Sequence, residues 1–171
     1  MDYPLTDALL PAPDTRGKFT ARLHRLPVFD RWPPDDNAPP VSPMPADKAG
    51  FVTFGSFNNP AKINDDVIRR WADILNSVPG SELLLKYMNW YAQAALRDHL
   101  LEKFAAHGVA PDRVRFEASP DTLTAHLGRY AVIDIALDPF PFNGATTTFQ
   151  ALWMGVPVVS FAGETFISRA A

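Results

Sequence analysis

From Phe51 onward, short β-branched or leucine-rich runs alternate with longer segments of helical period, and this alternation leaves few folds open. Phe51 to Gly55 reads as a buried strand. Asn64 then has the features of an N-cap, with Asp65 and Asp66 favouring the helix dipole and Val67, Ile68, Trp71, Ile74, Leu75 and Val78 sharing one helical face. Pro79-Gly80 ends that helix. Leu83-Leu84-Leu85 gives a second strand, and Tyr91 to His107 a helix whose Leu96, Leu100, Leu101 and Phe104 point inward before Gly108 stops it. Val114 to Glu117 is a third strand. Ser119-Pro120-Asp121 reads as a helix start with proline in the first turn, leading through Leu123 and Leu127 to Arg129. A strand from Val132 to Leu137, a helix from Thr146 to Met154 and a strand from Pro157 to Phe161 complete the series. Five strands alternating with four helices predict an α/β fold, a Rossmann-like parallel sheet with helices on both faces. In such a sheet ligands gather at the carboxyl ends of the strands.

The chain before residue 50 is different. Ten of its 17 prolines lie there, a density set against regular helix or central strand. Ala21 to Pro27 reads as a short strand or turn and Trp32 to Lys48 as an extended linker. The expected division is therefore a Pro-rich connector over residues 1–49 and a Rossmann-like lobe over 50–171, incomplete where the last helical segment breaks off at Ala171.

At 171 residues and 47% hydrophobic content, one sizeable core is expected. A net charge of −3 without clustered basic residues argues against a nucleic-acid surface. With no cysteine, and with His24, His99, His107 and His126 at no ligand spacing, no metal site is expected. No Gly-x-Gly-x-x-Gly follows a strand and no Walker motif occurs, so a standard dinucleotide dehydrogenase or P-loop NTPase is not supported. No leader-like segment or membrane-length apolar run is visible, which makes the cytoplasm the expected location and a membrane no partner.

Three groups fall just past strand ends. The strongest is Leu137 to Thr148, where an apolar strand enters a Pro/Asn/Gly turn at Asn143-Gly144 and then a row of hydroxyls, Thr146-Thr147-Thr148, opening a helix. Free N–H groups, the positive helix end and the three hydroxyls are expected to converge on a phosphate-like group. One threonine alone is an ordinary N-cap. The second group is Ser56 to Lys62. It is either an Asn/Pro turn with a solvated lysine, or a cation held for an anion, since Lys62 beside a helix N-terminus gains nothing from the dipole alone. The third is His126 and Arg129, which share a helical face as a surface pair or as ligand contacts. Trp71, Trp90 and Trp153 read as core, and Asp134 and Asp138 as structural or loop-holding residues.

Phe51 to Ile63, His126 to Tyr130, and Asp138 to Gly144 continuing through Gly163 to Arg169 together resemble the O-linked N-acetylglucosamine transferase and SPINDLY family, glycosyltransferase family 41, in its bacterial form. Asp2 to Asp7 and Arg25-Leu26-Pro27 resemble the tail of that family's first catalytic lobe. The resemblance implies a GT-B architecture of two Rossmann-like lobes, usually behind a tetratricopeptide array, with this chain as a fragment covering the connector and most of the C-terminal lobe. It implies a sugar-nucleotide donor, UDP-N-acetylglucosamine, a protein acceptor and no cofactor. Lys62 would neutralise the donor diphosphate, and Asn59 would stand where the family commonly has glutamine near the phosphates. His126 and Arg129 would lie beside the base, while Thr146 and Thr147, following the Asn143-Gly144 turn, would grip the phosphates.

Two positions depart from the family pattern: Ala145 replaces a typical histidine, and Gln150 an acidic residue that holds the ribose hydroxyls. The first lobe, which carries the family's acceptor-side catalytic histidine, and the repeats are missing, so the isolated chain is not expected to turn over. A GDP-fucose-dependent protein O-fucosyltransferase and a non-catalytic nucleotide-binding or scaffold module are the alternatives.

Overall fold

The computed structural model describes residues 5–8, 23–27, 36–119 and 122–171. Near the start of the chain, β1 (Leu5–Thr6) and β2 (His24–Arg25) form a short parallel pair. The main sheet comprises β3 (Thr53–Ser56), β4 (Glu82–Lys86), β5 (Val114–Glu117), β6 (Ile135–Leu137) and β7 (Val158–Val159). All pairings are parallel, in the order β5-β4-β3-β6-β7. The chain winds outward from β3 to one edge, then returns to β3 and winds to the other. The topological switch therefore lies between β3 and β6, where the connecting loops part and leave a crevice.

Helices α2 (Asp65–Ser77) and α3 (Ala94–Ala105) cover one face. There Val67, Ile68, Trp71, Ala72 and Leu75 of α2 and Leu100 and Phe104 of α3 pack on Phe54, Leu83 and Leu85. Helices α4 (Leu123–Gly128) and α5 (Thr146–Trp153) cover the other, joining Leu127 and Ala151 to Leu84 and Ala136. The Leu83-Leu84-Leu85 run is apolar throughout because neighbouring side chains enter opposite cores. Each such fully buried leucine contributes about 1.5–3 kcal/mol of transfer free energy. Gly55 admits the second core closely: a Cβ there would lie 2.7 Å from two side-chain atoms of Ile133.

Asn64 caps α2 as expected, accepting from the Val67 N–H at 3.0 Å. For α4 the cap is Thr122, whose Oγ1 accepts from the Ala125 N–H; Pro120 and Asp121, part of the expected start, lie outside the described residues. The Tyr91–His107 segment is not one helix but a 3-10 turn, Trp90–Ala92, followed by α3. Trp71 is core, whereas Trp90 and Trp153 are 40% and 43% exposed, against expectation.

The linker reading of Trp32 to Lys48 needs correction at its end, residues 32–35 lying outside the described residues. Helix α1 (Pro45–Ala49) forms there because Pro45 occupies the first helical turn, where a missing N–H costs no hydrogen bond. The Ala46 N–H donates to Asp134 Oδ1, and the Thr53 N–H donates to Asp134 Oδ2, both at 2.8 Å. One buried carboxylate thus fastens α1 to the first strand of the main sheet. Among the described residues no helix is long and apolar enough to cross a membrane.

Candidate functional site

A cavity of about 780 Å³ opens over the switch point, within the range typical of small-molecule sites. The segments that follow β3, β4, β5 and β6 contribute to it. The loop after β3 supplies Phe57, Asn58, Asn59 and Lys62; the end of β4 supplies Lys86, Tyr87 and Met88; Ser119 follows β5. Leu123 and His126 face it from α4, Phe142, Asn143 and Ala145 from the loop after β6, and Thr146, Thr147 and Gln150 from α5.

The Asn/Pro turn and the solvated-lysine reading separate here. Asn59 Oδ1 accepts from the Ala61 N–H and caps the 3-10 turn Pro60–Lys62, an architectural role. Lys62, by contrast, is turned inward. Its Nζ donates to the Asn143 carbonyl at 3.0 Å and to Asn58 Oδ1 at 3.4 Å, and lies 4.4 Å from the centroid of the Phe142 ring. Partial burial holds the ammonium below the ordinary lysine value, opposed by the negative charge of Asp138. A group so placed gains by meeting an anion.

The loop after β6 is organised by Asp138. Its Oδ1 accepts the Gly144 N–H at 2.6 Å, and its Oδ2 accepts from Asn143 Nδ2 and Ser160 Oγ, each at 2.7 Å. Gly144 is confined: a Cβ would stand 2.6 Å from Thr147 Oγ1 and 2.8 Å from Asp138 Oδ1. Gly144 therefore shapes the loop while its N–H is already engaged. Ala145 is the N-cap of α5 and makes no side-chain hydrogen bond, so the N-cap side chain leaves the helix's first N–H groups open.

The threonines divide. Thr146 and Thr147 line the cavity, with Thr147 Oγ1 donating to Asn58 Oδ1 at 3.0 Å, while Thr148 is buried away from it. The expected convergence of three hydroxyls is therefore a convergence of two. Tyr130, in the 3-10 turn after α4, donates its hydroxyl to the Thr147 carbonyl and steadies the same turn.

On the other side of the cavity, His126 Nε2 is 3.1 Å from Gln150 Oε1, and His126 Nδ1 is 3.4 Å from Lys86 Nζ. Arg129 is not brought to the cavity: its Nε and Nη2 bind Glu117 Oε2 at 3.0 and 2.6 Å. Sequence reasoning missed Asn58, which links Lys62 to Thr147, and Lys86, which follows three leucines and is 1% exposed. The position of Lys86 at a strand's carboxyl end was the available signal. Met88 adopts φ 43°, a left-handed conformation uncommon for a side-chain-bearing residue, and its carbonyl accepts from the Ser119 N–H at 3.0 Å. Among the described residues no group of three or more His, Asp or Glu side chains is placed to hold a metal ion.

A doubly wound sheet, a cavity over its switch point, an inward lysine and a helix start whose N-cap makes no side-chain hydrogen bond define the class: a Rossmann-like α/β lobe with a cavity at the carboxyl ends of its strands. The family model for glycosyl transferase family 41 matches residues 44–171, and the chain belongs to that family. It is 43% identical over 165 residues to a "probable UDP-N-acetylglucosamine–peptide N-acetylglucosaminyltransferase SPINDLY" of Oryza sativa subsp. japonica, covering 96% of this chain and 18% of the relative. The identically named protein of Arabidopsis thaliana is 42% identical over the same length and coverage. A point variant of the Thermobaculum terrenum O-GlcNAc transferase superposes with a TM-score of 0.88 at 35% identity, covering 99% of this chain and 32% of that one. The chain thus spans about a fifth of the length of these curated relatives.

Proposed function

We propose that this chain is the sugar-nucleotide-binding part of a protein O-glycosyltransferase that binds UDP-N-acetylglucosamine and passes its sugar to serine or threonine hydroxyls of protein acceptors. The observation that carries the reading is the convergence of Lys62 with the uncapped start of α5 at Thr146 and Thr147 on one side of the cavity. The relatives' names supply the donor.

In the transfer, the acceptor oxygen forms a bond to the anomeric carbon as the bond from that carbon to the diphosphate breaks; the electron pair leaves on the diphosphate, and the hydroxyl's proton passes to a base supplied by the first lobe. Lys62 and the helix N-terminus stand where that charge would be stabilised, a role that needs no divalent cation. Asn58 holds the two elements together. The acceptor-side chemistry belongs, in this reading, to a first lobe, and a tetratricopeptide array and a cytoplasmic setting complete the proposal.

An amide NMR titration with UDP and with GDP, repeated on Lys62→Ala, tests it. Selective shifts at Thr146, Thr147 and His126 with UDP, weakened in the variant, are expected. The same pattern with GDP alone would transfer the assignment to a fucosyl donor, and a folded chain that responds to neither would overturn the donor-lobe reading.

A further inference from the structure

Three side chains from three elements form a row along one wall of the cavity: Lys86 at the end of β4, His126 on α4 and Gln150 on α5. Lys86 Nζ is 3.4 Å from His126 Nδ1, and His126 Nε2 is 3.1 Å from Gln150 Oε1. The chemistry of the row is directional. A lysine ammonium donates and cannot accept, so the imidazole nitrogen facing it must be the unprotonated one. The ring's single proton then sits on Nε2 and is donated to Gln150. Only the amide oxygen can receive it, so the Gln150 NH2 group is turned away from the ring. A rotated amide would need Nε2 bare and Nδ1 protonated, placing an N–H against the ammonium.

We infer that Lys86 is a positioning residue for the cavity: its ammonium fixes His126 in the neutral, Nε2-protonated form and thereby orients the Gln150 amide with its NH2 donors available to ligand. The wall consequently reads acceptor atoms, such as hydroxyl or carbonyl oxygens of a nucleoside, where a carboxylate at position 150 would have read donors. This deepens the donor-lobe reading and rests on it for the identity of the ligand, but the state of the histidine does not.

Among the groups facing the ring are Lys86 from β4, Gln150 from α5, the Phe57 ring at 5.8 Å and the Tyr130 ring at 5.7 Å. On the next turn the Arg129 charge is paired with Glu117 from β5. The test is the pair of ring 15N shifts of His126, which separates the two neutral tautomers and the imidazolium. It is recorded on the whole chain without nucleotide at about pH 6, below the ordinary histidine value of about 6.5.

The wild-type ring is expected to be neutral and protonated at Nε2. Lys86→Met is expected to let more than half of the ring take a second proton, Lys86→Arg to restore the neutral form, and Gln150→Leu to leave it in place. An Nδ1-protonated or doubly protonated ring in the wild type overturns the inference even if Lys86→Met does not fold. So does a folded Lys86→Met variant with unchanged shifts, or loss of the Nε2-protonated form in Gln150→Leu. Calorimetry with UDP provides the second arm: Lys86→Met is expected to weaken binding several-fold. Failure of the wild type to bind UDP would count against the donor-lobe reading while the shifts still decide the role of Lys86.

Discussion

Lys62 Nζ donates to the carbonyl oxygen of Asn143 across 3.0 Å, joining residues 81 positions apart in the chain and fixing the loop after β3 to the loop after β6. The contact spans the switch point itself, so the cation and the start of α5 keep one relative position. Charge-assisted hydrogen bonds of this kind contribute about 1.5–3 kcal/mol. A bond of the same kind from Lys62 to a ligand phosphate would be lost in Lys62→Met, which should weaken UDP binding by about 10- to 100-fold, measured by calorimetry, with little change in the circular dichroism spectrum.

The same lysine makes a prediction about pH. Its folded-state value lies below 10.5 because burial disfavours the charged form. The folded chain therefore binds fewer protons than the unfolded chain in the alkaline range, and stability from this group rises as pH climbs toward 10.5. Urea unfolding at neutral and alkaline pH should show that rise in the wild type and a flatter profile in Lys62→Met.

Gly144→Ala forces a methyl group to within 2.6 Å of Thr147 Oγ1 and 2.8 Å of Asp138 Oδ1. The loop and the first turn of α5 must separate to admit it. Overpacking of this sort costs about 1–3 kcal/mol. A lowered thermal midpoint together with weakened UDP binding is the expected result.

Asp138→Ala removes the acceptor of the Gly144 N–H, the Asn143 amide and the Ser160 hydroxyl at once. The buried Gly144 N–H is left unpaired, at a cost of about 1–3 kcal/mol before relaxation, while the Asn143 amide keeps Ser160 Oγ and the Phe161 carbonyl as acceptors. Amide hydrogen exchange should show lost protection from residues 138 to 144 while β4 and β5 stay protected.

Tyr130→Phe deletes one hydroxyl that donates to the Thr147 carbonyl. Burial pushes the Tyr130 phenol well above its ordinary value, so it stays protonated and able to donate at neutral pH. A single neutral hydrogen bond of this type contributes about 0.5–1.5 kcal/mol. Chemical denaturation should show a loss of that size.

The elements that sequence reveals best are those whose signals are local. Val114–Glu117 has the expected bounds, and Asn64 caps α2 through a contact three residues away. The burial of Leu83, Leu84 and Leu85 follows from their run alone. What sequence hides depends on distant partners. Asn58 matters because Thr147 lies 89 positions later, and Lys86 because His126 lies 40 positions later. Arg129 shares a helical face with His126 as its spacing requires, yet Glu117 on a separate strand draws it aside. Helix α1 was concealed by its own proline, whose position in the first turn decides its effect.

The three-way clasp made by Asp138 has a thermodynamic consequence for any ligand of this cavity. Fixing a loop residue removes about 1–2 kcal/mol of backbone entropy, and a ligand that must order seven such residues forfeits much of its contact energy. Here residues 138 to 144 are held by a carboxylate of the chain itself. The ordering cost falls on folding, and an arriving ligand meets a preorganised mould whose contacts translate more fully into affinity.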